Sequence, residues 1–174
     1  DVKEGMRVVD ACAGAGGKTL HLAALMKNKG QIIALDIYEW KLAELKRRAK
    51  RAGAHNIETR MIDDNKVIKR LHEKADRLLI DSPCSGLGVL KRNPDSKWKI
   101  DQAFIDRIKK EQEKILQDYS KILKKGGKMI YATCSILPSE NNEQVEIFLK
   151  NNEEFSLIKE EKVMPSEGFD GFYM

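Results

Sequence analysis

Five short apolar runs, interleaved with stretches of helical spacing, limit this chain to very few folds. Arg7–Asp10, Ile32–Leu35, Ile57–Ile62, Arg77–Ile80 and Lys128–Ala132 have the length and character of buried strands. Lys18–Met26 and Asn65–His72 read as helices. Tyr38–Ala52 reads as a longer one, with Trp40, Leu42, Leu45 and Ala49 at helical spacing and Gly53 as its stop. Ile105, Ile108, Ile115, Tyr119 and Ile122 mark a long amphipathic helix that ends before Gly126-Gly127. Ser139 opens another, Ser139–Lys150, with Glu140 and Asn142 near its start. Phe155–Glu160 and Phe172–Met174 read as late strands. Strands alternating with helices in this way predict an α/β fold, a doubly wound and mainly parallel sheet of Rossmann-like type.

The 174 residues suffice for one domain with a real core. The first strand starts six residues in and the chain stops inside an apolar run, so residues 1–174 are expected to be a domain cut from a longer protein. Apolar residues make up 41% and no run reaches the roughly 18 that a membrane span needs, so no membrane partner is expected. Three cysteines, an odd number without framework spacing, predict a reducing, cytoplasmic setting rather than a disulfide scaffold. The histidines show no ligand spacing with them, so no metal site is predicted. The net charge of +5 is unevenly spread. The cluster Lys41, Lys46, Arg47, Arg48, Lys50 and Arg51 reads as a solvated helix face. A second one, Lys91, Arg92, Lys97 and Lys99, surrounds Trp98 and suits a nucleic-acid backbone with a stacked base.

Between the first strand and first helix lies Asp10-Ala11-Cys12-Ala13-Gly14-Ala15-Gly16-Gly17-Lys18-Thr19. A Walker turn would need glycine at position 12, where cysteine stands, and a dinucleotide turn would need it at Thr19. An acid followed by Gly14 and Gly16 fits S-adenosylmethionine best, with residues Cys12 to Lys18 as the cradle. Asp36, ending the second strand, is placed to accept hydrogen bonds from ribose hydroxyls. After the third strand, Asp63 or Asp64 would meet the adenine amino group, Asp63 being preferred. Asp10 has a plainer reading, as a brace of the turn.

The remaining cysteines sit where ligands bind rather than where cores pack. Cys84 lies in Asp81-Ser82-Pro83-Cys84-Ser85-Gly86 and Cys134 in Tyr131-Ala132-Thr133-Cys134-Ser135, each just beyond a strand's carboxyl end. With the glycine turn and Asn93-Pro94-Asp95-Ser96-Lys97-Trp98, these motifs come in the order found in the Nop/Sun family of RNA 5-methylcytosine methyltransferases. The chain resembles that family's catalytic domain from its first strand to Phe169-Asp170-Gly171-Phe172-Tyr173. One departure is Gly14-Ala15, where the family has Ala-Pro. Losing the proline is expected to loosen the turn and weaken cofactor binding.

The resemblance implies S-adenosylmethionine as cofactor and RNA, ribosomal RNA first, as partner rather than DNA; a monomer is expected, although no sequence feature fixes the oligomeric state. It also implies roles. Cys134 is the nucleophile that adds to carbon 6 of cytosine, and Cys84 the second thiol, which helps remove the carbon 5 proton or break the adduct. Asp81 would bind the base at N3 and its amino group and also border the cofactor. Lys18 would bind the base edge, and its cation would lower a nearby thiol's pKa. Plainer readings exist for each: small buried thiols for the cysteines, above all Cys12 as a packing residue, and a helix-start surface lysine for Lys18. A methyltransferase acting on DNA or a small molecule, and an RNA-binding module without catalysis, are the competing functions.

Overall fold

Val8, Val9 and Asp10 are almost wholly buried because their strand has a neighbour on each side. The computed structural model describes residues 1–174. Its central sheet has the order β3-β2-β1-β4-β5, formed by β1 (Arg7–Asp10), β2 (Gln31–Asp36), β3 (Ile57–Met61), β4 (Ala75–Asp81) and β5 (Leu123–Ala132). β1 pairs in parallel with β2 (Val8 beside Ile32) and with β4 (Val8 beside Arg77), and β2 pairs in parallel with β3. The expected parallel α/β sheet with flanking helices is what the chain forms. The two central strands are brought together across a long stretch of chain, as when the Arg7 N–H donates to Asp76 Oδ2 at 2.7 Å over 69 residues.

The chain divides into two compact units, residues 1–81 with 118–130, and residues 82–117 with 131–174. In the first, β2 is buried from Ile32 to Asp36, the burial of a strand covered on both faces. Helix α1 (Gly17–Leu25) contributes Ala23 to a cluster with Val8, Met26 and Ile32. Helix α2 (Glu39–Arg51) contributes Leu45 and Ala49 to one with Ala13 and Ala34. Trp40 does not share that apolar face. It is 68% exposed, because its position on the helix turns it away from Leu42, Leu45 and Ala49. Helix α3 (Asn65–Lys69) is shorter than expected and is capped by Asp64, whose Oδ1 accepts the Lys66 N–H at 2.7 Å.

In the second unit, helix α4 (Ser96–Lys99) follows the Cys84 loop and precedes α5 (Gln102–Tyr119). The expected continuation of α5 through Ile122 is a turn of 3₁₀-helix, and β5 starts at Leu123, so Gly126-Gly127 lie inside a strand rather than after a helix. Helix α6 (Asn142–Asn151) starts three residues later than predicted, since Pro138–Glu140 form a separate 3₁₀ turn. Phe155–Glu160 is not a strand. The two-residue β6 (Lys162–Val163) pairs instead with β7 (Phe172–Tyr173) in antiparallel fashion. Tyr173 also exchanges both backbone hydrogen bonds with Thr133, each 3.0 Å long, beside Cys134.

Candidate active site

The turn after β1 is held by side chains at the two positions that depart from the resembled family. The Gly14 N–H donates to Asp36 Oδ2 at 2.9 Å, and the Ala15 carbonyl accepts from Arg48 Nη1 at 2.7 Å. Gly14 has φ +55°, a left-handed conformation that glycine adopts without the strain alanine would carry. The expected loosening is therefore countered by two long-range hydrogen bonds. Arg48 belongs to the basic cluster read as a solvated face, and its contact with the turn was not legible from spacing. The turn packs inward through Gly16, where a Cβ would come within 2.5 Å of Leu45 Cγ. At Gly14 and Gly17 a Cβ would meet nothing within 4 Å. The inner side is thus filled and the outer side open, which fits a ligand lying against the backbone.

The acids around this turn separate by environment. Asp10 is 1% exposed; its Oδ2 accepts from Thr19 Oγ1 at 2.7 Å, and its Oδ1 is buried without a partner. Burial pushes its carboxyl up to about 6, opposed by the Thr19 hydrogen bond. Its plainer reading as a brace fits this geometry. Asp36, also buried, accepts a second amide, from Tyr38 at 2.9 Å, so that its carboxylate ties the turn to the start of α2. Asp64 is occupied as the cap of α3 and pairs with Lys66 Nζ at 3.2 Å. Asp63 is exposed and accepts only the neighbouring Asp64 N–H among the bonds described.

Lys18, in the first turn of α1, pairs with Asp81 at the end of β4, Nζ to Oδ2 at 2.5 Å. The carboxylate offsets a cation that the positive end of a helix would otherwise repel. Both side chains stay partly open, 45% and 31% exposed, as a donor and acceptor side by side. Cys12 is half-buried in the turn.

Cys84 and Cys134, 50 residues apart in sequence, meet with their Sγ atoms 3.3 Å apart. None of the three cysteines is in a disulfide, and these two are half-buried. The hydrogen bond to Cys134, then burial, push the Cys84 thiol above the ordinary thiol range. The neighbour of the Cys84 thiol is another thiol, and Lys18 is paired with Asp81. Backbone contacts bring the loops together. The Gly88 N–H donates to the Cys134 carbonyl at 2.9 Å, and the Gly171 N–H donates to the Gly88 carbonyl at 2.7 Å. Only glycine fits at position 88, since a Cβ there would lie 2.3 Å from the Gly171 carbonyl oxygen.

Sequence reasoning missed Glu140. Read only as a residue near a helix start, it is fully buried among Ser85, Ser135 and Gln112. Trp98 in α4 is 80% exposed, with Lys97 Nζ 4.8 Å from its ring centroid.

The sheet order, the open glycine turn and the acids at successive strand ends define a Rossmann-like fold of the S-adenosylmethionine-dependent methyltransferases. The chain belongs to the 16S rRNA methyltransferase RsmB/F family, whose sequence model matches residues 1–170. It is 38% identical over 172 residues to the probable ribosomal RNA small subunit methyltransferase B of Bacillus subtilis, covering 95% of this chain and 38% of that one. It is 35% identical over 183 residues to the mouse tRNA (cytosine(72)-C(5))-methyltransferase NSUN6, covering 98% and 38%. The solved structure of NSun6 from Pyrococcus horikoshii with SFG, an S-adenosylmethionine analogue, superposes with a TM-score of 0.86 at 30% identity, covering 99% of this chain and 47% of that one. The chain thus spans less than half the length of these relatives.

Proposed function

We propose that the chain carries the catalytic machinery of an RNA cytosine-5 methyltransferase that uses S-adenosylmethionine and acts through a covalent cysteine–cytosine adduct. Ribosomal RNA is the substrate class favoured by the Bacillus subtilis relative's name. The observation that carries the reading is the contact between Cys84 and Cys134 at 3.3 Å, on two loops that follow β4 and β5. One thiol would serve a packed core as well as two; paired thiols on polar loops serve a reaction with an attack and a release.

S-adenosylmethionine, when bound, supplies the electrophilic methyl group. The open turn from Cys12 to Gly17, with Asp36 and Asp63, would hold it. Lys18 and Asp81 offer a donor and an acceptor to a cytosine edge, and Asp81 favours the base's amino group. Cys134 attacks carbon 6, which makes carbon 5 nucleophilic enough to take the methyl group. Cys84 is the second thiol, assigned to the later, releasing step, in which the carbon 5 proton leaves and the cysteine–carbon 6 bond breaks. A reducing, cytoplasmic setting, in which both thiols stay reduced, belongs to this reading.

The test separates the thiols. Cys134→Ser should abolish methyl transfer and leave no covalent RNA complex, because a hydroxyl is a far weaker nucleophile. Cys84→Ser should form the complex and fail to release it, giving an RNA-linked band on a denaturing gel. Full activity in either variant would sink the two-thiol mechanism, and the opposite pattern would exchange the roles.

A further inference from the structure

Each thiol is followed in sequence by a serine, and both serines bind one carboxylate. Ser85 Oγ donates to Glu140 Oε2 at 2.5 Å, Ser135 Oγ donates to the same oxygen, and the two hydroxyls lie 3.1 Å apart. The other oxygen, Oε1, accepts the Ser85 N–H at 2.8 Å and Gln112 Nε2 at 3.1 Å. Gln112, from α5, also donates to the Pro83 carbonyl at 3.0 Å, so both chain neighbours of Cys84 are restrained. On the other loop, Asn141 accepts from Thr133 Oγ1 at 2.5 Å and donates to the Ser135 carbonyl at 3.0 Å, restraining both neighbours of Cys134. The Tyr131 hydroxyl fixes the backbone of Glu140 by donating to its carbonyl at 2.7 Å. Glu140 and Gln112 are fully buried, and Ser85 and Ser135 nearly so.

A carboxylate out of water is costly unless its lone pairs are filled, and apolar side chains of similar volume would pack two loops at least as stably. What four converging donors add is a fixed geometry. We propose that Glu140 is a positioning residue, which sets the separation and aim of the Cys84 and Cys134 thiols by holding Ser85 and Ser135 on one carboxylate. The proposal deepens the two-thiol reading above and rests on it for its catalytic meaning.

The spacing of two thiols can be read without RNA or cofactor. Phenylarsine oxide bridges a close dithiol: two arsenic–sulfur bonds form, both thiol protons leave with the oxide oxygen as water, and nothing is oxidised or reduced. The wild-type protein should bind one phenylarsine oxide across Cys84 and Cys134, and Cys84→Ser should lose that chelation. Glu140→Gln puts an NH2 group where two donors now converge, either both hydroxyls or the Ser85 and Gln112 N–H groups, and should weaken chelation at least tenfold. Ser85→Ala and Ser135→Ala, which keep the carboxylate, should each weaken it as well, and they decide the matter where Glu140→Gln does not fold. In RNA methylation these variants should lose kcat with the KM for S-adenosylmethionine unchanged, a split that general loosening of the fold would not give. Chelation within twofold of wild type in the folded variants, or no chelation by the wild type, would overturn the proposal. Weakened chelation in a protein that methylates no RNA would leave the clamp standing and remove the methyltransferase reading instead.

Discussion

Asp10 and Asp36 both end strands beside the glycine turn, yet their surroundings give them different tasks. Asp36 has an amide for each oxygen, whereas Asp10 has one hydroxyl and one buried oxygen with no partner. The native Asp10 carboxyl therefore holds its proton up to about pH 6, while in the unfolded chain it is ionised from about 3.8. Between these values the native state binds more protons, so stability falls as pH rises through that window, by roughly 3 kcal/mol once it is complete. An amide in place of this carboxyl would still accept from Thr19 and would carry no charge. Asp10→Asn should raise the urea midpoint at pH 7.5 and leave it nearly unchanged at pH 4. An equal gain at both values would show that ionisation of Asp10 is not the cause. Asp10, Asp36, Cys84 and Cys134 stood out in the sequence because each is an acid or a thiol at or just beyond a strand end. Glu140 and Arg48 were hidden, since an acid near a helix start and a base on a helix face are ordinary surface residues until long-range packing buries or recruits them.

The turn between β1 and α1 offers a comparison of adjacent glycines. Gly16 has φ +86° and faces Leu45, while Gly17 has neither a positive φ nor a neighbour where its Cβ would stand. Gly16→Ala combines left-handed strain with overpacking and should cost about 2–4 kcal/mol. Gly17→Ala, at the first position of α1, should be neutral or stabilise by up to about 1 kcal/mol. Chemical denaturation of both variants checks this, and equal losses would refute the packing argument. Helices and strands flanked by clear breakers were legible at this scale, as at Gly53 after α2. Elements whose identity depends on a partner were not. Gly126-Gly127 punctuates a helix in sequence but lies within β5, and apolar Phe155–Glu160 forms no strand while the pair Lys162–Val163 does, because β7 reaches it.

At the scale of the molecule, the net charge of +5 and the exposed Trp98 with Lys97 beside it fit single-stranded RNA approached through phosphate and base together. Trp98→Ala should weaken binding of a single-stranded RNA by about 1–3 kcal/mol, with S-adenosylmethionine affinity unchanged in calorimetry. RNA affinity equal to that of the wild type would make α4 a structural loop only. No helix is long and apolar enough to cross a membrane.

The sheet order also sets a timetable. β1 is flanked by β2 and β4, and closing the β4 side joins residues 69 apart, while the thiols meet across 50 residues and Ser85 reaches Glu140 across 55. Contacts this distant along the chain form slowly, after local ones have cleared the way. On a growing polypeptide the glycine turn, Asp36 and Arg48 are all made long before residue 140, so the contacts that hold the turn can form before the two cysteine loops can be joined. Two nucleophilic sulfurs lacking their clamp are open to stray alkylation and mispairing. Late closure of the contacts around Glu140 would therefore make the paired arrangement of the two thiols, rather than their bare reactivity, a late product of folding.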